Sequence, residues 1–155
     1  MVKNYRGVQE VKPVVIETQA ISVKDYMSTR LITFDPEQSI MEVVDQLLTH
    51  RISGAPVVNH MGELVGVISE GDCLKEVVKG KYHNLPILGG KVKDHMASNV
   101  IRIHPDTNIL EAAKMFLEMK IRRFPVQDDH GRLIGQISQK DVMRAVKNLK
   151  SENWH

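Results

Sequence analysis

Two serine–aspartate pairs stand out for their chemistry: Ser69-x-x-Asp72 and Ser138-x-x-Asp141, in the segments GVISEGD (66–72) and GQISQKD (135–141). Each follows an aliphatic run and a glycine, as a strand entering a helix would. At that spacing a hydroxyl and a carboxylate satisfy free backbone N–H groups as a capping box, and the glycine reads as a packing or bulge position. A helix start also presents N–H donors and the positive end of its dipole. The pair therefore suits a phosphorylated, polyhydroxylic ligand. The carboxylate would accept two hydrogen bonds from a ribose diol, the hydroxyl would meet phosphate, and apolar hairpin residues would flank a base. One residue type can serve both roles.

Other chemistry has little to stand on. The histidines at 50, 60, 83, 95, 104, 130 and 155 never fall two to five residues apart, so no short metal-ligand motif exists and no metal is expected. GxxxxGK[ST] and GxGxxG are both absent, and Gly89-Gly90-Lys91 is followed by valine. Cys73 reads as a small packed residue. Symmetric duplication makes Asp72 and Asp141 two equivalent binding positions rather than a catalytic acid and base, so no enzyme is expected.

The elements that must position these residues are themselves repeated. At an offset of 69, residues 23–78 align with 92–147 without a gap, and 19 of the 56 positions are identical. In the first copy Leu31–Phe34 is a short β-rich run, and Asp35-Pro36 predicts a helix N-cap followed by proline at the first helical position. Ile40, Val43, Val44, Leu47 and Leu48 then recur at helical spacing, matched by Ile109, Ala112, Ala113, Phe116 and Leu117. Pro56–Val58, the turn Asn59–Gly62 and Leu64–Ile68 predict a hairpin, and a second helix starts near Ser69. Each copy is thus β-α-β-β-α, too small to bury both helices and both sheet faces alone. The expected fold is α/β (α+β), two such repeats packed as a pseudo-twofold pair.

The expected boundaries are an N-terminal extension 1–20, domains 21–79 and 91–149, a linker 80–90 and a tail 150–155. Glycine and proline over 79–90 mark the linker, and Pro13–Ile16 suggests an edge strand. The chain has 155 residues, 42% hydrophobic and 26% charged, with a formal net charge of +2 and one cysteine. Interleaved charges leave no footprint for nucleic acid, no apolar run is long enough for a membrane span, and a lone cysteine suits the cytoplasm.

The units resemble CBS domains, named for cystathionine beta-synthase, and the tandem resembles a Bateman module, over about residues 21–149. The resemblance rests on VKDYM and VKDHM opening the copies, HRISGAPVV (50–58), KIRRFPV (120–126) and the two GxISxxD segments. It implies a regulatory sensor of adenosine nucleotides (AMP, ADP or ATP), with S-adenosylmethionine or an empty structural adaptor as alternatives. It also implies association as a homodimer through the helices and an unidentified regulated partner. By motif, one cleft would take Asp141, Ser138, Arg123, Arg122, Thr29, Ile52 and Ser53. The other would take Asp72, Ser69, Ser53, Gly54, Ser98, Ile121 and Arg122. Where one copy carries Arg122-Arg123 the other carries Ser53-Gly54, so phosphate contacts favour the Asp141 side, whereas glycine opens space for a bulkier ligand.

Overall fold

The computed structural model of the protein describes residues 21–83 and 89–153. After a 3-10 turn at Val23–Asp25 come α1 (Ile40–His50), β1 (Gly54–Val58), β2 (Leu64–Ser69), α2 (Glu70–His83), α3 (Val92–His95), α4 (Ile109–Met119), β3 (Arg123–Gln127), β4 (Leu133–Ser138) and α5 (Gln139–Asn153). Pro13–Ile16 lies outside the described residues. Residues 79–83, read from composition as linker, continue α2.

Two compact units form. The first unit holds Arg30–Ile101 with Asp129–Leu133; the second holds residues 21–29, Arg102–Asp128 and 134–153. The units are not the sequence repeats. Val23, which opens the first repeat, is fully buried in the second unit's core beside Ile109, Phe124 and Ile137. Val92, which opens the second repeat, is fully buried in the first unit's core beside Phe34, Ile40 and Ile68. Burying one such valine contributes about 1.5–3 kcal/mol. The repeats thus exchange their opening segments.

The repeated glycine explains how those segments dock. A Cβ on Gly66 would lie 2.6 Å from Met96 Sδ and 3.0 Å from the Ala97 carbonyl oxygen, and one on Gly135 would lie 2.5 Å from Met27 Sδ and 3.0 Å from the Ser28 carbonyl oxygen. The missing side chains let an extended segment pair with the strand: Val67 and Ala97 exchange two bonds of 2.9 Å, as do Ser28 and Gln136.

β1 and β2 pair antiparallel, Gly54 opposite Ser69 and Val57 opposite Gly66, with a bulge between Val57 and Val58. The turns rest on Gly62 and Gly131, whose φ values of 79° and 81° favour glycine. The β-rich run at 31–34 reduces to a single parallel bridge, Phe34 to Val57, and Ile103 does the same beside Val126. Helix α1 begins later than Asp35-Pro36 suggests. Asp35 Oδ1 accepts from the Glu37 N–H at 2.8 Å, which closes a turn, and the cap is Ser39, whose Oγ accepts from the Glu42 N–H at 3.1 Å. The apolar stripe is narrower than its spacing suggests: Ile40, Val43 and Leu47 are buried, but Leu48, counted with them in the sequence, is 73% exposed, as is Leu117 at 79%.

One polar contact lies in the first unit's interior. Glu76 of α2 is buried, and its Oε2 sits 3.0 Å from His95 Nε2 on α3 but has no aligned hydrogen-bond partner. Gly90 makes room, because a Cβ there would collide with the His95 ring. The second unit has Ala145 and Tyr26 at the corresponding positions.

Candidate functional site

Both Ser-x-x-Asp pairs cap their helices, as their spacing suggests. Asp72 Oδ2 accepts from the Ser69 N–H at 2.9 Å and from Ser69 Oγ at 3.0 Å. Asp141 Oδ2 accepts from the Ser138 N–H at 2.9 Å, and Ser138 Oγ accepts from the Asp141 N–H at 3.2 Å. Strand β2 or β4 ends at the serine and α2 or α5 starts at the next residue, so each pair sits at the strand-to-helix junction. All four residues are half-buried, oriented by the box and still open to solvent.

The surroundings differ between units. In the second, the β3–β4 hairpin sets the start of β3, with Arg123 and the preceding Arg122, both exposed, toward the end of β4 where Ser138 stands. Half-buried Ile121 accepts a side-chain hydrogen bond on its carbonyl from Gln139 Nε2 at 3.4 Å. Thr29 is exposed and follows Ser28, which pairs two residues before Ser138. This end of the unit therefore gathers Ile121, Arg122, Arg123, Ser138 and Asp141, whereas the antiparallel register at Ser28 carries Thr29 toward Gly135 and away from Ser138.

The first unit gathers Ile52, Ser53, Gly54, Ser69 and Asp72 at the equivalent end, whereas the antiparallel Val67–Ala97 bridge carries Ser98 toward Gly66. Arg51 turns the chain there in the left-handed region, φ 55°, before half-buried Ile52 and exposed Ser53, whose carbonyl accepts from the Glu70 N–H at 2.8 Å. Ser98 is exposed beside Ala97. Gly54 does not open space as its lack of a side chain suggests. A Cβ there would meet the Ile68 carbonyl oxygen at 2.9 Å and Ser69 Cα at 3.2 Å, so the glycine lets β1 close on β2.

Electrostatics separate the motifs further. Arg144 Nη2 donates to Asp141 Oδ1 at 3.1 Å, whereas the first unit has Lys75 at that position. Sequence reasoning passed over this contact, although Asp-x-x-Arg at i,i+3 on a helix is its signal. Glu70 and Gly71 follow the first serine, where Gln139 and Lys140 follow the second. Beside Asp72, burial and then the neighbouring carboxylate push the Cys73 thiol up. An apolar groove of about 650 Å³ between α1 and α2, lined by Val44, Leu48, Cys73 and Leu74 among others, reaches Ile52 and Ser53. Among the described residues no group of three or more His, Cys, Asp or Glu could hold a metal ion, and no helix is long and apolar enough to cross a membrane.

Comparison with known proteins places this geometry. The CBS domain family matches residues 23–79 and 92–148. A Methanocaldococcus jannaschii protein, MJ1426, is 32% identical, covering 84% of this chain and 94% of its own. Several other relatives are longer, and the chain spans 25% to 65% of their lengths. The crystal structure of CBSX2 from Arabidopsis thaliana in complex with AMP is similar at TM-score 0.72 and 32% identity, covering 83% of this chain and 98% of that one. The CBS domain pair of protein MJ0100, in complex with 5'-methylthioadenosine and S-adenosyl-L-methionine, is similar at TM-score 0.64 and 30% identity, covering 83% and 97%. With both repeats matched and the α+β fold shared, the chain belongs to the CBS domain family and carries a tandem pair of its domains.

Proposed function

We propose that this pair is a regulatory module that binds an adenosine nucleotide, AMP, ADP or ATP, without catalysing a reaction, and that the Asp141 motif takes the first nucleotide. The observation that carries the reading is the second unit's grouping of a box-oriented carboxylate, a serine hydroxyl and two exposed arginines at one strand-to-helix junction. In this reading Asp141 serves the ribose diol, Ser138, Arg123 and Arg122 serve phosphate, and Thr29 borders the ligand. The AMP complex of CBSX2 supports the ligand class. A one-cysteine composition suits a cytoplasmic sensor.

A specific observation favours a second ligand class in the first unit. Asp72 and Ser69 stand there with Ser53 and Gly54, without the arginine pair and next to Glu70. That charge balance suits an uncharged nucleoside or a sulfonium such as S-adenosylmethionine, and the MJ0100 complex supports it. A homodimer through the helices fits the apolar positions that both repeats leave exposed: Met41 and Leu110, Leu48 and Leu117, Leu74 and Met143.

Calorimetric titration with AMP, ATP and adenosine tests the reading. Losing a charged hydrogen-bonding partner costs about 1.5–3 kcal/mol, so Arg123→Ala should weaken AMP and ATP about tenfold to hundredfold and adenosine far less. Asp141→Ala should weaken all three in a protein that still melts cooperatively. A parent protein that binds none of them overturns the reading in favour of a structural adaptor. Binding abolished by Asp72→Ala and untouched by Asp141→Ala overturns the site assignment.

A further inference from the structure

Arg144 is held from three sides within the second unit. Its Nη2 donates to Asp141 Oδ1 at 3.1 Å and to the Tyr26 carbonyl oxygen at 3.5 Å, and its guanidinium carbon lies 5.9 Å from the Tyr26 ring centroid. The Tyr26 hydroxyl accepts from Asn148 Nδ2 at 2.9 Å, which fixes the ring. The Asp141 side chain is 14% exposed and that of Arg144 56%, so a solvated guanidinium reaches in to a largely buried carboxylate. The first unit has Lys75, His95 and Lys79 in place of Arg144, Tyr26 and Asn148, and its His95 turns to Glu76. The clamp is a property of one motif.

A carboxylate has about four lone-pair positions. Asp141 Oδ2 already accepts from Ser138, and Oδ1 accepts from Arg144. A diol held by both oxygens shares Oδ1 with the guanidinium, which already draws on that oxygen as an acceptor. A ligand that carries its own anion gains from the guanidinium beside the motif, and an uncharged nucleoside does not. We propose that Arg144 is a specificity-determining residue that makes the Asp141 motif select phosphorylated over unphosphorylated nucleosides, an inference that rests on the nucleotide reading above. Arg144 acts through Asp141 in the free motif and through charge on the ligand's phosphate in the bound one.

The test isolates this motif in an Asp72→Asn background, which removes the other carboxylate's charge and keeps a capping acceptor. AMP and adenosine are titrated calorimetrically into that protein and into its Arg144→Met and Arg144→Lys derivatives. Methionine keeps the apolar stem and the helix propensity. The preference for AMP over adenosine should fall at least about tenfold in Arg144→Met, with adenosine bound no more weakly than before, and stay within about threefold in Arg144→Lys, which keeps the charge. Equal weakening of both ligands, or an unchanged preference, overturns the inference, since Arg144 then only steadies Asp141. Loss of all binding in the Asp72→Asn background, while the parent binds AMP, overturns it as well, because the Asp141 motif is then not the site. A parent that binds neither ligand overturns the nucleotide reading itself, which separates the two failures.

Discussion

His95→Ala should destabilise the protein more than its size suggests, because it leaves the Glu76 carboxylate buried without a partner. The 3.0 Å contact sets the imidazole against the carboxylate, and desolvation of both groups offsets much of their attraction. Orphaning one member of a buried pair commonly costs about 3–5 kcal/mol. Here the side chains keep 15% and 10% exposure, so water recovers part of the loss and about 2–3 kcal/mol is expected for His95→Ala. Glu76→Ala should cost only about 1 kcal/mol, since it buries no unpaired carboxylate and the second unit already carries a buried Ala145 there. The double variant should then fall short of the sum of the singles by at least about 1 kcal/mol. Urea unfolding followed by circular dichroism, with an unchanged dependence on denaturant, measures the cycle. Additivity within about 0.5 kcal/mol, or a costlier Glu76→Ala, would refute the reasoning.

Two further outcomes follow from the first unit. Hydrogen bonds from Lys91 and then Lys93 hold the Glu37 carboxyl below its ordinary range, so its stabilising contribution is present above the unfolded value and lost as pH falls through the folded one. Glu37→Gln should therefore flatten the acid side of the melting-temperature profile and matter least in about 1 M salt; an unchanged acid limb counts against the cluster. Burial, then Asp72, raises the Cys73 thiol, so a disulfide reagent should react at least about tenfold more slowly with the native protein than with the urea-unfolded chain, and equal rates would contradict the packing described.

Much of this fold is legible in the sequence because its signals are local. The helical spacing of Ile40, Val43 and Leu47, the glycine turns at 62 and 131, and the two capping boxes depend on residues a few positions apart. The misread helix start is local too. Asp35-Pro36 carries a valid start signal, but the Asp35 side chain closes a turn and Ser39 with Glu42 makes the better cap four residues later. What stays illegible is which core receives Val23 and which receives Val92, since VKDYM and VKDHM differ at a single residue, Tyr26 against His95. A repeat reads the same whether its parts stay home or exchange. The motif carboxylates were readable from spacing, whereas the Arg144 contact depends on where Tyr26 docks and so on that exchange.

The exchange also sets an order in which the chain can be completed during synthesis. Val23 donates its N–H to the Thr107 carbonyl and Ser28 exchanges bonds with Gln136, so the segment 23–28 has no native partner until Pro105 and Thr107 emerge and no strand to pair with until Gln136 does. Most of the first unit, Arg30–Ile101, is contiguous and meets its own late segment at Val92–Ala97 much sooner. Closing so long a loop adds little to the equilibrium cost, which grows only with the logarithm of length, but it is slow and leaves apolar strand edges uncovered meanwhile. A nascent chain emerged from the ribosome as far as residue 101 would thus display one nearly finished unit and, upstream of it in sequence, a segment still without its strand.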